Sequence, residues 1–403
     1  MLIMSTKEIS QSQQSYSHDA DQNINPIVHN FTNSKSQVYE LNGDIRIQGN
    51  SSTIFIVSST LTQQQHNITS WTTVPYARKN DNLAMKKAKK FKIIHQTPQT
   101  VPKCTRKFNI PAIVFSTGGY AGNHFHDFTD LLIPLYLTSR QFDKKVIFLV
   151  SDKRSWWTSK YRVILENLSK YKIIYIDDES HQVLCFSRMI VGLIAHKELG
   201  IDSSEPPHYS MTDFRKFLRS TYSLDREFVN IIIPNRPKLL IVSRKKTRHL
   251  TNEGEVADMA RRIGFEVVVQ EMGWQVSQVA KFVNGFDVML GVHGAGLTNM
   301  VFLPENGVVI QMVPIGLDML GKYYFRVPAK DMKLRYLEYK VSLNESSLMG
   351  KYGEDSEVFR DPVGVRKKGW HGFRSVYLDN QDVTVDLSRF KETLMKALEI
   401  VSS

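Results

Sequence analysis

Cysteines and long apolar runs are scarce in this 403-residue sequence. Cys104 and Cys185 are its only cysteines, and two cysteines alone do not build a structural zinc site. They could form one disulfide, but their spacing does not decide this. No apolar run approaches the ~18 residues of a membrane span, and Met1-Leu2-Ile3-Met4 is too short for the apolar core of a signal peptide. We therefore expect neither a zinc-built fold nor a membrane anchor in this chain.

Several common nucleotide-binding and catalytic signatures are also missing. The sequence has no GxGxxG, no GxxxxGK[ST] and no Ser-His-Asp signature. Its DxD triplet, Asp19-Ala20-Asp21, lies in a polar N-terminal stretch where we expect no folded site. A nucleoside diphosphate would then be held by arginines and a helix end rather than by Mg²⁺. We expect no metal and no cofactor.

The charge balance is strongly basic. The net charge is +12 and the pI is about 9.4, so we expect an anionic partner: nucleic acid, phosphate, an acidic polysaccharide or a membrane surface. The densest basic run, residues 78–92, reads either as a solvated helix face or as a groove for an anionic polymer. Few aromatic residues interrupt it and no known nucleic-acid module occurs, which disfavours nucleic acid.

Glycosylation sequons are more frequent than chance predicts. Asn30, Asn50, Asn67, Asn167 and Asn344 each begin an Asn-x-Ser/Thr triplet, against roughly two or three expected by chance. The excess favours a luminal protein, with Asn50, Asn67, Asn167 and Asn344 as glycosylation candidates. Accidental occurrence is the alternative.

Two α/β halves account for most of the chain. Residues 1–36 are rich in Ser, Gln and Asn and are predicted to be disordered. Residues 37–228 and 239–403 are predicted to be two Rossmann-like domains. Within the first, residues 43–57 predict a pair of short strands around an Asn-Ser-Ser turn. From residue 111 on, apolar strands alternate with amphipathic helices, which predicts parallel sheets covered on both faces. A proline-bearing stretch, 229–238, is predicted to link them. We expect ligands in the cleft between the halves, at the carboxyl ends of the strands.

The stretch GVHGAGLTN, residues 291–299, follows a predicted strand. Gly294 and Gly296 would let backbone N–H groups approach an anion, and the start of a helix would add its positive end. His293 could donate a hydrogen bond to a phosphate or a sugar hydroxyl. We predict a diphosphate cradle formed by His293, Gly294, Ala295, Gly296, Leu297, Thr298 and Asn299. The alternative is a tight strand-to-helix turn with a capping histidine.

A second basic stretch, VSRKKTRHLTNEGEV at 242–256, also leaves a strand end. Arginine suits phosphate because its planar fork bonds two oxygens at once. We therefore predict that Ser243, Arg244 and Arg248 bind the same diphosphate. Lys245 and Lys246 are expected to be solvent-exposed.

A third stretch, STGGYAGNHFHDFTD at 116–130, lies in the first half. Histidines beside carboxylates are suited to removing a proton from a hydroxyl. Asp127 and His126 are the predicted general base pair, with Asn123 and His124 on the acceptor side. This spacing does not place three metal ligands on one helix face. The alternative is an acidic helix N-terminus with one packed histidine.

Together with KKGWHGFRSVYLDNQDVTVDLSRF, these stretches closely resemble the plant members of glycosyltransferase family 61, over roughly residues 36–395. That family includes xylan arabinosyl- and xylosyltransferases. The resemblance implies a GT-B fold, with two Rossmann-like domains facing a cleft, an inverting mechanism and a UDP-sugar donor held mostly by the C-terminal domain. It also implies that Arg244, Arg248 and residues 293–299 face the diphosphate, and that His126 and Asp127 face the acceptor.

The resemblance predicts a pentosyltransferase that moves arabinofuranose or xylose from a UDP-sugar to a xylan backbone in cell-wall synthesis. It also implies a place in the Golgi lumen and other xylan-synthesis proteins as partners. Family members usually carry an N-terminal transmembrane anchor, which is absent from this sequence. The alternative is a non-catalytic scaffold or binding protein of a xylan-synthesising complex on the same fold. Retention of both half-sites favours the enzyme.

Overall fold

The computed structural model describes residues 27–58, 70–229 and 236–403, which form two β-sheets flanked by helices. The strands are β1 Ile27–Thr32, β2 Gln37–Gln48, β3 Thr53–Val57, β4 Ser70–Thr73, β5 Phe91–Gln96, β6 Arg106–Phe108, β7 Ala112–Ser116, β8 Ile147–Ser151, β9 Ile174–Tyr175, β10 Val183–Val191, β11 Lys238–Val242, β12 Glu266–Gln270, β13 Val288–Val292, β14 Val308–Val313 and β15 Arg335–Lys340.

The helices cover much of the remaining chain. The α-helices are α1 Asn82–Met85, α2 His124–His126, α3 Ile133–Ser139, α4 Ser155–Lys160, α5 Arg162–Leu168, α6 Met211–Tyr222, α7 Glu253–Ile263, α8 Val276–Asn284, α9 Asp318–Gly321, α10 Val327–Asp331, α11 Glu357–Arg360, α12 Pro362–Lys368, α13 Trp370–Phe373 and α14 Leu387–Ser402. Segments of π-helix span Asp127–Leu132, Lys322–Arg326 and Arg374–Asp379. Segments of 3₁₀-helix span Arg140–Phe142, Ile176–Asp178, Ala295–Phe302, Leu343–Glu345 and Ser347–Gly350.

The N-terminal half contains a ten-stranded mixed sheet. Its strands run in the order β4-β5-β3-β2-β10-β7-β8-β9, with β1 beside β2 and β6 beside β10. Strands β10, β7, β8 and β9 are parallel, as the alternation of strands and helices predicts. However, β2 is antiparallel to β1, β3 and β10, so the sheet as a whole is mixed, and the strand pair predicted over residues 43–57 is confirmed as β2 and β3. The turn between β2 and β3 is too short for a crossover and imposes antiparallel pairing.

The C-terminal half contains a five-stranded parallel sheet in the order β12-β11-β13-β14-β15. The strand order reverses between β11 and β13. In an open α/β sheet, such a reversal leaves a crevice at the carboxyl ends of the two strands, where ligands bind. These two strands end at Val242 and Val292, directly before Ser243 and His293.

One hydrophobic core joins the two halves. Leu240 and Met289, on one face of the five-stranded sheet, belong to the same buried cluster as Phe128 of the N-terminal half. Leu239 and Leu290, on the opposite face, pack into a separate cluster with α7 and α14. Successive residues of a strand point to opposite faces, which explains this division. The two halves are therefore packed against each other through buried apolar side chains.

Two local predictions need correction or fall outside the described ranges. Residues 27–36 were predicted to be disordered, but they include β1, which pairs with β2 along its whole length. Residues 1–26 of that tail, and residues 230–235 of the predicted linker, lie outside the described residues.

Residues 124–142 form one helical stretch whose centre is irregular. Helix α2, the π segment 127–132 and α3 follow one another without a break. Pro134 lies in the first turn of α3. A π segment inserted into an α-helix is rare and often marks a functional site.

The two cysteines are paired. Cys104 and Cys185 form a disulfide, with an S–S distance of 2.09 Å, which ties the loop before β6 to β10. Persistent disulfides are typical of oxidising compartments. Asp44 lies near both cysteines, and these three residues are the one group of potential metal ligands within the described ranges. The disulfide leaves that group without a thiolate.

Candidate active site

A cleft of about 1500 Å³ is lined by residues of both halves. Asn123 and His126 line it from the N-terminal half, and Arg248, His293, Gly294 and Ala295 line it from the C-terminal half. A smaller cavity of about 420 Å³ shares Ala295 with the cleft and is lined by His124, Ser243, Arg244, Gly296 and Asn299. The structure thus brings together eleven of the fourteen predicted catalytic and binding residues. Asp127, Leu297 and Thr298 line neither cavity.

Arg244 packs against the backbone of Gly294 where β11 and β13 end. Gly294 has a φ of 153°, and a Cβ atom at this position would lie 2.4 Å from Nη1 of Arg244. Only glycine leaves room for a guanidinium so close to this turn. Nε of Arg244 donates to the carbonyl of Thr247 at 2.8 Å, which fixes the direction of the side chain.

Arg248 is a second cation at the same place. Its φ of 55° is unusual for a residue other than glycine, and such conformations concentrate at functional sites. Its buried Nε has no hydrogen-bond partner within the part of the chain that the structure describes. Burial, and then the charge of Arg244, lower the pKa of Arg248, and burial lowers the pKa of Arg244. Two adjacent, largely buried arginines form a site that favours an anion.

Nearby carboxylates do not neutralise these two arginines. Glu271 pairs with Lys245 at 3.5 Å, and Asp379 pairs with Arg374 at 3.1 Å. Arg374 and Asp379 both line the cleft. Positive charge therefore remains available for a ligand.

His293 lies beside the arginines and is only 4% exposed. Burial, and then the charges of Arg248 and Arg244, lower the pKa of His293 well below its ordinary value. The ring is therefore neutral at pH 7. Its Nδ1 lies 2.7 Å from Nε2 of Gln311, a buried residue of β14.

The 3₁₀ segment 295–302 begins at the cleft, with Gly294 as its cap. The first N–H groups of a helix have no partner within the helix, so the amides of Ala295 and Gly296 are suited to an anion. Leu297 and Thr298 are buried, because the helical turn directs them toward the core. Their side chains are therefore turned away from the predicted diphosphate cradle. Ser243 donates to Oε1 of Glu253 at 3.1 Å.

Asp127 is fully buried. Its Oδ1 accepts hydrogen bonds from Gly122 N at 2.7 Å and Trp157 Nε1 at 2.8 Å, and its Oδ2 accepts one from the Tyr161 hydroxyl at 2.7 Å. A carboxylate so enclosed and so fully bonded does not contact an acceptor hydroxyl. The prediction that Asp127 is the base is corrected: it anchors the loop at Gly122 to α4.

His126 of the same stretch is partly exposed, and it lines the cleft. Its Nδ1 lies 3.0 Å from Oδ2 of Asp130, which is fully buried. Burial alone would raise the pKa of Asp130, but Arg78 and then His126 outweigh it and hold that pKa well below its usual range. Because an ionised Asp130 only accepts, Nδ1 of His126 donates to it. In the neutral ring, Nε2 then carries a lone pair that can accept a proton.

Asn123 and His124 begin the helix of this stretch. Asn123 is the N-cap of α2, and its Oδ1 accepts from Phe125 N at 3.1 Å. His124 reaches the C-terminal half, where its Nε2 lies 3.0 Å from Oδ1 of Asn299. Burial, and then the charge of Lys160, lower the pKa of His124 to about 4. Of the two, Asn123 lines the cleft and His124 lines the smaller cavity.

Several residues of the site were not predicted from the sequence. Arg78, Asp130, Trp274, Gln311 and Arg374 all line the cavities or bond to residues that do. Gln311 had a usable signal, because it is the one polar residue in the apolar strand VVIQMV. Asp130 also had one, because it lies four residues after His126 in the stretch 116–130. No such signal marked Arg78, Trp274 and Arg374 in the sequence.

The sequons differ in how accessible they are. Asn50 and Asn344 are exposed, as is Asn30 in β1. Asn167 is partly buried in α5, and its Nδ2 donates to the carbonyl of Val163 at 3.0 Å. Asn67 lies outside the described residues. Within those residues, no helix has both the length and the apolar character that a membrane crossing requires.

Known proteins with similar sequences cover nearly the whole chain. It is 43% identical over 376 residues to the alpha-1,3-arabinosyltransferase XAT2 of Oryza sativa subsp. japonica, across 92% of this chain and 64% of that protein. It is 39% identical over 389 residues to the beta-1,2-xylosyltransferase XYXT1 of the same organism, across 92% of this chain and 83% of that protein. It is 36% identical over 387 residues to the xylan glycosyltransferase MUCI21 of Arabidopsis thaliana, across 91% of this chain and 78% of that protein.

The chain thus spans slightly less than two thirds of the length of XAT2, but more than three quarters of XYXT1 and MUCI21. The family model for glycosyltransferase 61 matches residues 113–310. That range includes the stretch with His126 and both strand ends that carry Arg244 and His293. On this evidence, the chain belongs to glycosyltransferase family 61.

Proposed function

We propose that this protein is an inverting glycosyltransferase that moves a pentose, arabinofuranose or xylose, from a UDP-sugar to a xylan backbone in plant cell-wall synthesis. Its two halves would act as the two Rossmann-like domains of a GT-B enzyme. The names of the relatives support pentosyl transfer and a xylan acceptor. The observation that carries the proposal is that an anion site and a histidine with a free basic nitrogen face one cleft.

The anion site suits the diphosphate of the donor. Arg244 and Arg248 supply charge, and the amides of Ala295 and Gly296 supply directed hydrogen bonds. As the sugar leaves, negative charge builds up on the diphosphate, and fixed donors in a partly dry site stabilise it. We propose that these groups, rather than a metal ion, stabilise the leaving group.

The smaller cavity suits the nucleoside. Val242, Met272 and Val279 give it apolar walls, and Trp274 is 56% exposed at its edge. An exposed indole beside an apolar cavity is suited to stack on a base. Glu271, near the carboxyl end of β12, is placed to accept hydrogen bonds from ribose hydroxyls.

His126 is the proposed general base. Nε2 of His126 takes the proton of the acceptor hydroxyl, and the oxygen attacks the anomeric carbon from the side opposite the diphosphate. The bond from that carbon to the diphosphate oxygen breaks, and its electron pair stays on the diphosphate. Asp130 holds Nδ1 of His126 and stabilises the imidazolium that forms.

We further propose that the protein works in the Golgi lumen, beside other xylan-synthesis proteins that bind the same acceptor. The disulfide and the exposed sequons Asn50 and Asn344 support an oxidising, glycosylating compartment. In the alternative, a non-catalytic scaffold, the protein has the same fold and binds the same ligand but does not transfer the sugar.

The deciding experiment is a transfer assay with purified protein. The protein is incubated with xylo-oligosaccharides and either UDP-xylose or UDP-arabinofuranose, with and without EDTA. The products are identified by mass spectrometry. Addition of one pentose in the presence of EDTA is the expected result, and it names the donor. A folded protein that binds UDP but transfers neither sugar would establish the scaffold instead.

A further inference from the structure

Gln311 is a polar residue in an apolar strand. All six residues of β14, Val-Val-Ile-Gln-Met-Val, are buried, and Gln311 is 0% exposed. A buried amide costs free energy unless its groups are hydrogen-bonded. Here both ends are bonded: Nε2 lies 2.7 Å from Nδ1 of His293, and Oε1 accepts from the Tyr336 hydroxyl at 2.8 Å.

The direction of these hydrogen bonds fixes the proton on His293. The Tyr336 hydroxyl is a donor to the oxygen end of Gln311, which turns the amide nitrogen toward His293. Oε2 of Glu338 lies farther from the same hydroxyl, at 3.3 Å. An amide NH₂ can only donate, so Nδ1 of His293 must accept and carries no proton. In a neutral imidazole the proton then resides on Nε2.

We infer that Gln311, oriented by Tyr336, is a positioning residue that holds His293 in the tautomer protonated at Nε2. In the described part of the chain, Nε2 has no hydrogen-bond partner, while the ring lines the cleft beside Arg248. Nε2 is thus a hydrogen-bond donor kept ready for a ligand.

This inference rests on the proposed function, in which a sugar diphosphate occupies the anion site. Diphosphate oxygens accept hydrogen bonds, so a lone pair on Nε2 would repel them, whereas an N–H group binds them. A neutral donor also adds a directed contact without placing a third cation beside Arg244 and Arg248. Such a prearranged donor is most useful where negative charge develops during the reaction.

The first test reads the tautomer directly. Protein labelled with ¹⁵N-histidine is examined by long-range ¹H–¹⁵N correlation at pH 7 without ligand. The His293 signals are those that disappear in His293→Gln. We expect Nε2 protonated and Nδ1 unprotonated. Protonation of Nδ1 in the unaltered protein would overturn the inference.

The second test changes the residue that sets the tautomer. In Gln311→Glu, the carboxylate at residue 311 accepts from Nδ1, so His293 gains a proton there. We expect this change in the spectrum, and a loss of transfer turnover on the order of 10²-fold. A spectrum still showing Nε2 alone protonated, in a folded Gln311→Glu protein, contradicts the role given to Gln311.

Two further variants separate this effect from a loss of structure. Gln311→Met keeps the volume but cannot donate, so both tautomers are populated and turnover falls less than in Gln311→Glu. Tyr336→Phe leaves the amide of Gln311 free to rotate, so both tautomers of His293 are again populated, with a smaller fraction protonated at Nδ1 than in Gln311→Met. If His293 stays protonated at Nε2 alone in both variants, then Gln311 and Tyr336 do not set its tautomer.

The two readouts keep the two proposals apart. The tautomer needs neither donor nor acceptor, so a wrong tautomer in an active transferase removes this inference alone. The expected tautomer in a protein that transfers neither pentose removes the proposed function alone.

Discussion

Nε2 of His124 lies 3.0 Å from Oδ1 of Asn299, and this contact joins the acceptor-side and donor-side stretches. The amide nitrogen of Asn299 donates to the carbonyl of Gly296 at 2.9 Å, which turns Oδ1 toward the histidine. Nε2 of His124 is therefore the donor. The two stretches are tied together at the smaller cavity, so a change in either one affects the other.

Acid should weaken the fold through His124. Its pKa is about 4 in the folded protein against an ordinary value of 6.5, so the unfolded chain binds the proton first. The stabilisation is present above pH 6.5 and is lost as the pH falls toward 4. At 1.36 kcal/mol per pH unit, this amounts to at most roughly 3 kcal/mol. Urea unfolding between pH 4 and pH 7 measures it.

The matched variant for that measurement is His124→Gln. Glutamine can still donate to Asn299 but does not titrate, so its stability should vary less with pH across this range. An unchanged slope in the variant would show that other groups cause the acid loss.

Gly294→Ala should damage the anion site. The new Cβ would collide with the guanidinium of Arg244 and would strain a backbone at φ 153°. We expect UDP affinity to fall by about tenfold or more, which is ~1.4 kcal/mol. Calorimetric titration with UDP measures the loss. Gly254→Ala is the control, because a Cβ there meets nothing within 4 Å and helix α7 should tolerate or favour alanine.

His126 and Asp127 should separate catalysis from stability. His126→Gln removes the proposed base, so turnover should fall about 10²- to 10⁴-fold while UDP binding is kept. Asp127→Asn disturbs a buried carboxylate with three strong donors, so it should lower the free energy of unfolding by roughly 1–3 kcal/mol. The folded fraction of that variant should keep its turnover. A stable Asp127→Asn protein without turnover would restore Asp127 as the base.

Trp274 should report nucleotide binding. A base stacked on its half-exposed ring should change tryptophan fluorescence, and Trp274→Phe should lose most of that change. Trp274→Ala should weaken UDP binding by roughly 1–3 kcal/mol, the usual worth of base stacking. Trp71→Phe, in β4 and outside both cavities, is the control. Equal quenching by UDP in Trp274→Phe and the unaltered protein would place the base elsewhere.

The strands of the C-terminal half were predictable within about two residues, because buried parallel strands are continuous apolar runs. The edge strand β15 was missed, since Arg335–Lys340 carries three charged side chains and two tyrosines, with Leu337 as its one aliphatic residue. The pairing of β2 with β3 was predictable because a short turn joins them, but the antiparallel pairing of β2 with β10 was missed because it joins residues far apart in the sequence.

The candidate site was predictable to the level of stretches rather than of side chains. Arg244, Arg248 and His293 follow the carboxyl ends of strands. Ligands of open α/β sheets bind at those ends, so the sequence places the three residues in one crevice. The choice between Asp127 and Asp130 depends on how the π segment turns, which the sequence does not reveal. The partner of His293 is Gln311, 18 residues away on a neighbouring strand, so only the sheet register brings them together.

The core shared by Phe128, Leu240 and Met289 has a consequence for the modularity of the chain. A C-terminal half produced alone would expose one whole apolar face of its sheet, and the N-terminal half would expose the matching surface. Neither half is then an autonomous folding unit, and both should melt together in a single cooperative transition. In chimeras that exchange halves between relatives, the apolar residues on both sides of this shared core would have to be exchanged together.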